Sequence, residues 1–247
     1  MPAGLNKAAA QPQPQPEPAH TLHAIRHELA LLLAFVRKPR RTLRGSEPWS
    51  SRFLLLWGLC VAFAALQIPL EMGFEQFAPS IKFNLSTDGR FMFMAVFIAP
   101  VAEELAFRAG LRNARYTLFF GPALLILTRA GTITLALGGT AVFALILLLD
   151  WQYRRRAARP GLTMRRGRAF LGLYPLVFWT YAVAFALTHL SNFDYSSKAA
   201  VLMPLVLLPQ LFCGLVFGYI RIRHGLLHAV LLHAAYNASL CSVLLLN

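Results

Sequence analysis

Long apolar runs separated by short polar segments fill the sequence from residue 53 to its end. A helix needs about 20 apolar residues to cross a bilayer, and most of the runs have that length. They lack the short alternating segments that are typical of membrane β-barrels. The pattern therefore predicts an all-α fold, a polytopic transmembrane helical bundle of about seven to eight helices. The predicted spans are 53–70, 91–116, one or two spans within 117–150, 169–189, 199–220 and 225–246.

The first 45 residues differ in composition from the rest of the chain. Residues 1–20 are polar and contain a QPQPQPEP run, which predicts an extended, poorly ordered tail. Residues 21–45 begin with a short amphipathic helix, which we expect to lie on the membrane, and end in a basic juxtamembrane segment. The transmembrane domain is predicted to occupy residues 46–247.

Composition supports a membrane protein and limits its partners. Hydrophobic residues make up 57% of the chain, whereas soluble domains have about 45–50%. The net charge of +14 raises nucleic-acid binding as one interpretation. The basic residues, however, cluster between apolar spans, at 37–44, 154–168 and 221–224, where the positive-inside rule places cytoplasmic residues. We therefore expect membrane lipids, and no nucleic acid, as partners. The three cysteines lie singly in apolar spans, which predicts buried thiols rather than disulfides or metal ligands.

Two adjacent carboxylates, Glu103 and Glu104, lie within the predicted span 91–116. A carboxylate at bilayer depth costs roughly 2.5–3.5 kcal/mol on insertion scales, so an adjacent pair indicates a functional site. Arg108 follows Glu104 by one helical turn and is expected to pair with it. Glu103 lies about 100° around the helix, which directs it towards a different partner.

Further polar side chains lie in later spans. His189 ends the span 169–189, and Phe185 precedes it by one turn. His233 and Asn237 lie one turn apart on the last span, where strongly polar side chains need partners. One chemistry that fits is zinc binding by imidazole and carboxylate ligands, although the HExxH spacing is absent. The other is a water activated by Glu103 and oriented by His189, with hydrogen-bond donors from the last span stabilising an oxyanion.

Three motifs occur in order along the chain: EExxxR at Glu103, Glu104 and Arg108, FxxxH at Phe185 and His189, and HxxxN at His233 and Asn237. Together they resemble the CPBP family of intramembrane proteases, which includes CAAX prenyl endopeptidases of the Rce1 type and bacteriocin-processing proteases of the Abi type. The resemblance covers residues 91–116 and 170–240. Residues 117–168 depart from the family, which has a short link there, and they are interpreted as an insertion.

The resemblance implies a glutamate-dependent peptidase that uses no metal or other cofactor, with zinc dependence as the alternative. Glu103 and His189 would activate the water, and His233 and Asn237 would form the oxyanion site. Glu104 and Arg108, with Phe185, would support these groups.

The expected function is therefore an intramembrane endopeptidase that cuts a hydrophobic or lipidated protein or peptide near the membrane surface. We expect a multi-pass protein of the bacterial cytoplasmic membrane. A non-catalytic scaffold that binds such substrates on the same fold is one alternative. A proton-coupled transporter is another, although no internal repeat supports it. The basic clusters also raise a conflict, because they place Glu103 near the inner face of the membrane and His189 near the outer face.

Overall fold

The computed structural model describes residues 18–42, 49–66, 81–83, 86–112 and 160–246, together with isolated positions between 114 and 156. Within these residues the fold is all-α, as predicted, apart from one short antiparallel pair of strands. The helices are α1 (Pro18–Arg37), α2 (Ser50–Ala65), α3 (Gly89–Phe93), α4 (Ala99–Arg108), α5 (Pro160–Gly172), α6 (Tyr174–Thr188), α7 (Met203–Val206), α8 (Leu208–Arg223) and α9 (Leu226–Leu246). The strands are β1 (Lys82–Phe83) and β2 (Phe193–Asp194).

Two stretches of helix in the described part are long and apolar enough to cross a membrane, namely Ala199–Arg223 and Leu226–Leu245. They correspond to the last two predicted spans. The predicted span 53–70 forms a shorter apolar helix, Arg52–Ala65, and its last residues lie outside the described part. The predicted spans within 117–150, and most of the insertion, also lie outside it.

Helix α8 forms the centre of the bundle and packs closely on α6. Val216, Phe217 and Ile220 are completely buried. A Cβ atom added to Gly218 would lie 2.6 Å from Phe178 Cε2, and one added to Gly214 would lie 3.1 Å from Phe185 Cδ1. These two glycines therefore let the backbone of α8 approach the aromatic face of α6, as small residues do between membrane helices.

Helix α1 packs on the bundle through one face. Leu32 and Phe35 are buried there. Glu28 is buried as well, accepts a hydrogen bond of 2.7 Å from the hydroxyl of Tyr219, and lies 3.2 Å from Arg52. Glu28 is thus a buried acidic residue outside the glutamate pair that the sequence reasoning did not single out. Its partners come from two other helices, so the sequence pattern around Glu28 could not predict these contacts.

The bundle has two chemically different ends. At the first, which we call the basic end, α4 stops against the start of α6 and the end of α8. The hydroxyl of Tyr174 donates to the Leu111 carbonyl at 3.1 Å, and Arg221 Nε donates to the Arg108 carbonyl at 2.9 Å. At the opposite end, which we call the strand end, β1 pairs with β2 near the start of α3 and the end of α6.

Candidate active site

The helix that carries the glutamate pair runs antiparallel to α9, and its geometry changes next to a proline. Residues Met94–Ile98 form a π-helical turn between α3 and α4, and the N–H of Ala99 bonds to the Met94 carbonyl five residues earlier. In this register the next donor to the Ala95 carbonyl would be Pro100, which has no N–H. Asn237 Nδ2 donates to that carbonyl at 2.8 Å instead. The contact ties the HxxxN motif of α9 to the glutamate helix.

Glu104 is the completely buried member of the glutamate pair. Its side chain is 0% exposed, and its Oε1 lies 3.2 Å from Arg108 Nη1, as the i, i+4 spacing predicts. Arg108 is itself only 2% exposed. Its guanidinium lies over the ring of Phe185, with Cζ 3.9 Å from the ring centre. The carboxylate and its counter-ion are therefore neutralised and buried together.

Glu103 is the open member of the pair. Its side chain is 23% exposed and contributes to the wall of a cavity of about 270 Å³. Its Oε2 lies 3.8 Å from His233 Nε2. Among the described residues, this oxygen has no hydrogen-bond partner. One carboxylate of the pair is thus held within the protein, and the other is presented to the cavity.

His233 lies between the two carboxylates, which differs from the expected division of partners. Its Nδ1 lies 3.0 Å from Glu104 Oε1 and must donate the hydrogen bond, because a carboxylate accepts. The sequence reasoning had paired Glu104 with Arg108 and had predicted no contact between Glu104 and α9. Neighbouring residues on a helix project about 100° apart. Glu103 and Glu104 can therefore each face a different nitrogen of the His233 ring. The ring of His233 also stacks on Phe217 at 4.6 Å.

His189 contributes to the wall of the same cavity as Glu103, which removes the conflict over membrane depth. Helix α6 ends at Thr188, and the chain tightens into a 3₁₀ turn over His189–Asn192. The Nδ1 of His189 donates to the Phe185 carbonyl at 2.9 Å. In the neutral ring this bond leaves the lone pair on Nε2.

Phe185 contacts both histidines of the site as well as the buried ion pair. Its ring centre is 4.8 Å from that of His189 and 5.7 Å from that of His233, with edge-on geometry in both cases. The same ring lies against Arg108. One apolar side chain therefore fixes the relative positions of these polar groups.

The cavity has further polar residues that the sequence reasoning did not single out. Asn192 and Gln210 contribute to its wall. Gln210 Oε1 is buried and has no hydrogen-bond partner among the described residues. The available signal was the position of Gln210 one turn before Gly214, on a helix that is otherwise apolar there. In the described part of the chain, no three His, Cys, Asp or Glu side chains come together so that they could hold a metal ion.

Comparison with protein families gave one match. Residues 86–239 match the model of the family described as Type II CAAX prenyl endopeptidase Rce1-like. The match covers more than half of the chain and includes all three motifs. No curated protein matches the chain. No solved structure matches it either.

Proposed function

The chain belongs to the Rce1-like family of type II CAAX prenyl endopeptidases, and on this premise we propose that it hydrolyses peptide bonds with a water activated by Glu103. The family is one of membrane-embedded proteases, which supports a peptidase activity for this chain. The observation that carries the proposed mechanism is the different exposure of the two glutamates. Glu103 opens on the cavity that it shares with His189, His233 and Asn237, whereas Glu104 is completely buried.

In the proposed reaction, Glu103 takes a proton from water while the oxygen of that water attacks the scissile carbonyl carbon. The lone pair of His189 Nε2 accepts a hydrogen bond from the same water and orients it. The C–N bond then breaks, and the proton held by Glu103 passes to the leaving nitrogen. These steps require no metal ion. Glu104, whose charge is neutralised by Arg108, takes no part in proton transfer.

The developing oxyanion needs hydrogen-bond donors that face the cavity. His233 has its Nδ1 engaged by Glu104, so only Nε2 remains for this role, and it donates in the doubly protonated ring. Asn237 gives one amide hydrogen to the Ala95 carbonyl, and its second hydrogen is available for the oxyanion. Phe185 and Arg108 support these groups, because the Phe185 ring contacts both the Arg108 guanidinium and the His233 ring.

We further propose a multi-pass bundle of about seven to eight helices in contact with membrane lipids. The substrate would be a hydrophobic or lipidated peptide or protein, since the wall of the cavity is largely apolar and includes Phe91, Met94 and Leu244. A non-catalytic scaffold on the same fold and a zinc-dependent protease are the competing proposals.

The test is peptidase activity in detergent on a quenched fluorescent peptide library, with and without a chelator. Glu103→Ala and His189→Ala should each abolish cleavage, and the chelator should leave the wild-type rate unchanged. Asp88→Asn is the matched control. It removes an exposed carboxylate that directly precedes α3 and is not part of the cavity wall. Full activity in either alanine variant would refute the mechanism. Loss with the chelator and recovery with zinc would favour the metal-dependent alternative, and an inactive wild type would favour the scaffold.

A further inference from the structure

The cavity wall contains a polar side chain, Gln210, that the proposed mechanism does not use. Its Oε1 is buried, and no donor in the described part of the chain reaches it. Roughly 90% or more of buried polar groups in proteins have a hydrogen-bond partner, so an unpartnered carbonyl oxygen needs an explanation. The oxygen has lost its bonds to water without a replacement, which destabilises the unoccupied protein. A donor on a bound molecule would remove this cost.

The position of Gln210 relative to the reacting groups follows from α8. Gln210, Cys213 and Phe217 contribute to the cavity wall at the spacing i, i+3, i+7, which is one face of the helix. The ring of Phe217 stacks on that of His233 at 4.6 Å, and His233 lies beside Glu103. Phe217 therefore marks the level of the reacting groups. Gln210 lies two turns earlier, which is about 10 Å along the helix axis.

Most of the wall around this oxygen is apolar. On the glutamate helix it includes Phe91, Met94 and Ala99, and on α9 it includes Leu240 and Leu244. A hydrophobic peptide that enters such a cavity exchanges water for apolar side chains, and its backbone N–H groups then need acceptors. The apolar wall offers few acceptors. An acceptor without a donor on the wall thus matches a donor without an acceptor on the peptide.

We propose that Gln210 contacts the substrate, and that its Oε1 accepts a hydrogen bond from one backbone N–H of a bound hydrophobic peptide. An extended peptide advances about 3.3 Å per residue, so a distance of about 10 Å places this N–H about three residues from the scissile bond. The contact reads the backbone and not the side chain. It therefore excludes proline, which has no N–H, at that one position of the peptide. Calling the peptide a substrate rests on the proposed function, whereas the contact requires only that a peptide binds in the cavity.

The contact can be tested by peptide binding to Glu103→Gln, which keeps the shape of the side chain but cannot take a proton from water. A fluorescein-labelled peptide library is screened by fluorescence anisotropy in detergent. The tightest-binding peptide is then resynthesised as a series in which each backbone amide in turn is replaced by an ester, which removes one N–H and keeps every side chain. One ester should weaken binding by about tenfold, which corresponds to about 1.4 kcal/mol. Proline at the same residue should weaken binding at least as much.

A second substitution, Gln210→Met, removes the acceptor and keeps the length of the side chain. It should weaken binding of the all-amide peptide and abolish the effect of that one ester, and it should leave the other esters unchanged. Gln152→Met is the matched control, because Gln152 is half-buried and is not part of the cavity wall. It should retain the effect of the sensitive ester. Gln210→Met should not lower Tm, since it replaces an unpartnered acceptor with an apolar group.

Three results would overturn the inference. They are an ester series that is the same with and without Gln210→Met, a fall in Tm of Gln210→Met with the ester effect retained, and failure of every library peptide to bind. If Gln210→Met does not fold, Gln210→Asn replaces it, because the shorter amide should lose the same ester effect. Cleavage of the same peptide by the wild-type chain is measured separately. Binding with the expected ester effect but without cleavage would refute the proposed function and leave the contact of Gln210 standing.

Discussion

The asymmetry between the two adjacent glutamates gives a sharp prediction, because Glu103→Gln and Glu104→Gln make the same chemical change one residue apart. Glu104 is 0% exposed and lies 3.2 Å from Arg108. Removing one partner of a buried ion pair costs about 3–5 kcal/mol, since the other charge stays buried without compensation. The glutamine retains a carbonyl acceptor, so we expect a loss of about 3 kcal/mol in the free energy of unfolding, at the lower end of that range.

For a chain of this size, 1 kcal/mol shifts Tm by about 2–4 °C, so Glu104→Gln should lower Tm by about 6–12 °C. Glu103→Gln should shift Tm by less than about 3 °C, because its side chain is 23% exposed and its nearest ionic contact is 3.8 Å away. Its peptidase activity should nevertheless be lost. Thermal melting and peptidase rate are measured on the same detergent preparations, with the rate taken well below the lower Tm.

Two results would refute the reasoning. If Glu103→Gln lowered Tm as much as Glu104→Gln, the assignment of one supporting and one reactive carboxylate would be wrong. If Glu103→Gln kept its activity at an unchanged Tm, the role of Glu103 as general base would be wrong. Arg108→Gln serves as a check on the pair, because it should reproduce the instability of Glu104→Gln.

Gly218→Ala should lower Tm, because the new Cβ would lie 2.6 Å from Phe178 Cε2 and such overpacking costs about 1–3 kcal/mol. A Cβ atom added at Gly58 meets no atom within 4 Å, so Gly58→Ala should raise the free energy of unfolding by about 0.5–1 kcal/mol through helix propensity. A fall in Tm of equal size in the two alanine variants would contradict the packing argument. Asn237→Leu should cost about 1–3 kcal/mol, since it leaves the Ala95 carbonyl without its donor; an unchanged Tm together with an unchanged peptidase rate would show that this contact is unimportant. Chelation should leave the peptidase rate unchanged, and a loss that zinc restores would contradict the metal-free mechanism.

Much of the site could be predicted because its key contact is local. Glu104 and Arg108 lie one turn apart on one helix, and that spacing alone brings them together. The long apolar runs likewise fix α8 and α9, since a run of that length has to satisfy its backbone hydrogen bonds as helix. The motif order also identified the family before any contact was known, and the family match confirms it.

Other features depended on contacts between residues far apart in the chain. The pairing of His233 with Glu104, rather than with Glu103 alone, is set by how α9 packs against the glutamate helix. The burial of Glu28 depends on Tyr219 and Arg52 from two other helices. No spacing rule covers such pairs, because the geometry that joins them exists only after the helices pack.

The sequence by itself determined that the long apolar runs form helices, which carboxylate has a counter-ion one turn away, and which family the chain resembles. The first two properties follow from periodicity and spacing along a single helix, and the third follows from the order of three short motifs along the chain. Only the tertiary structure decided that Glu103 and His189 share one cavity, and that His233 lies between the two carboxylates. These contacts exist only in the packed bundle, because they depend on where separate helices start and stop relative to one another.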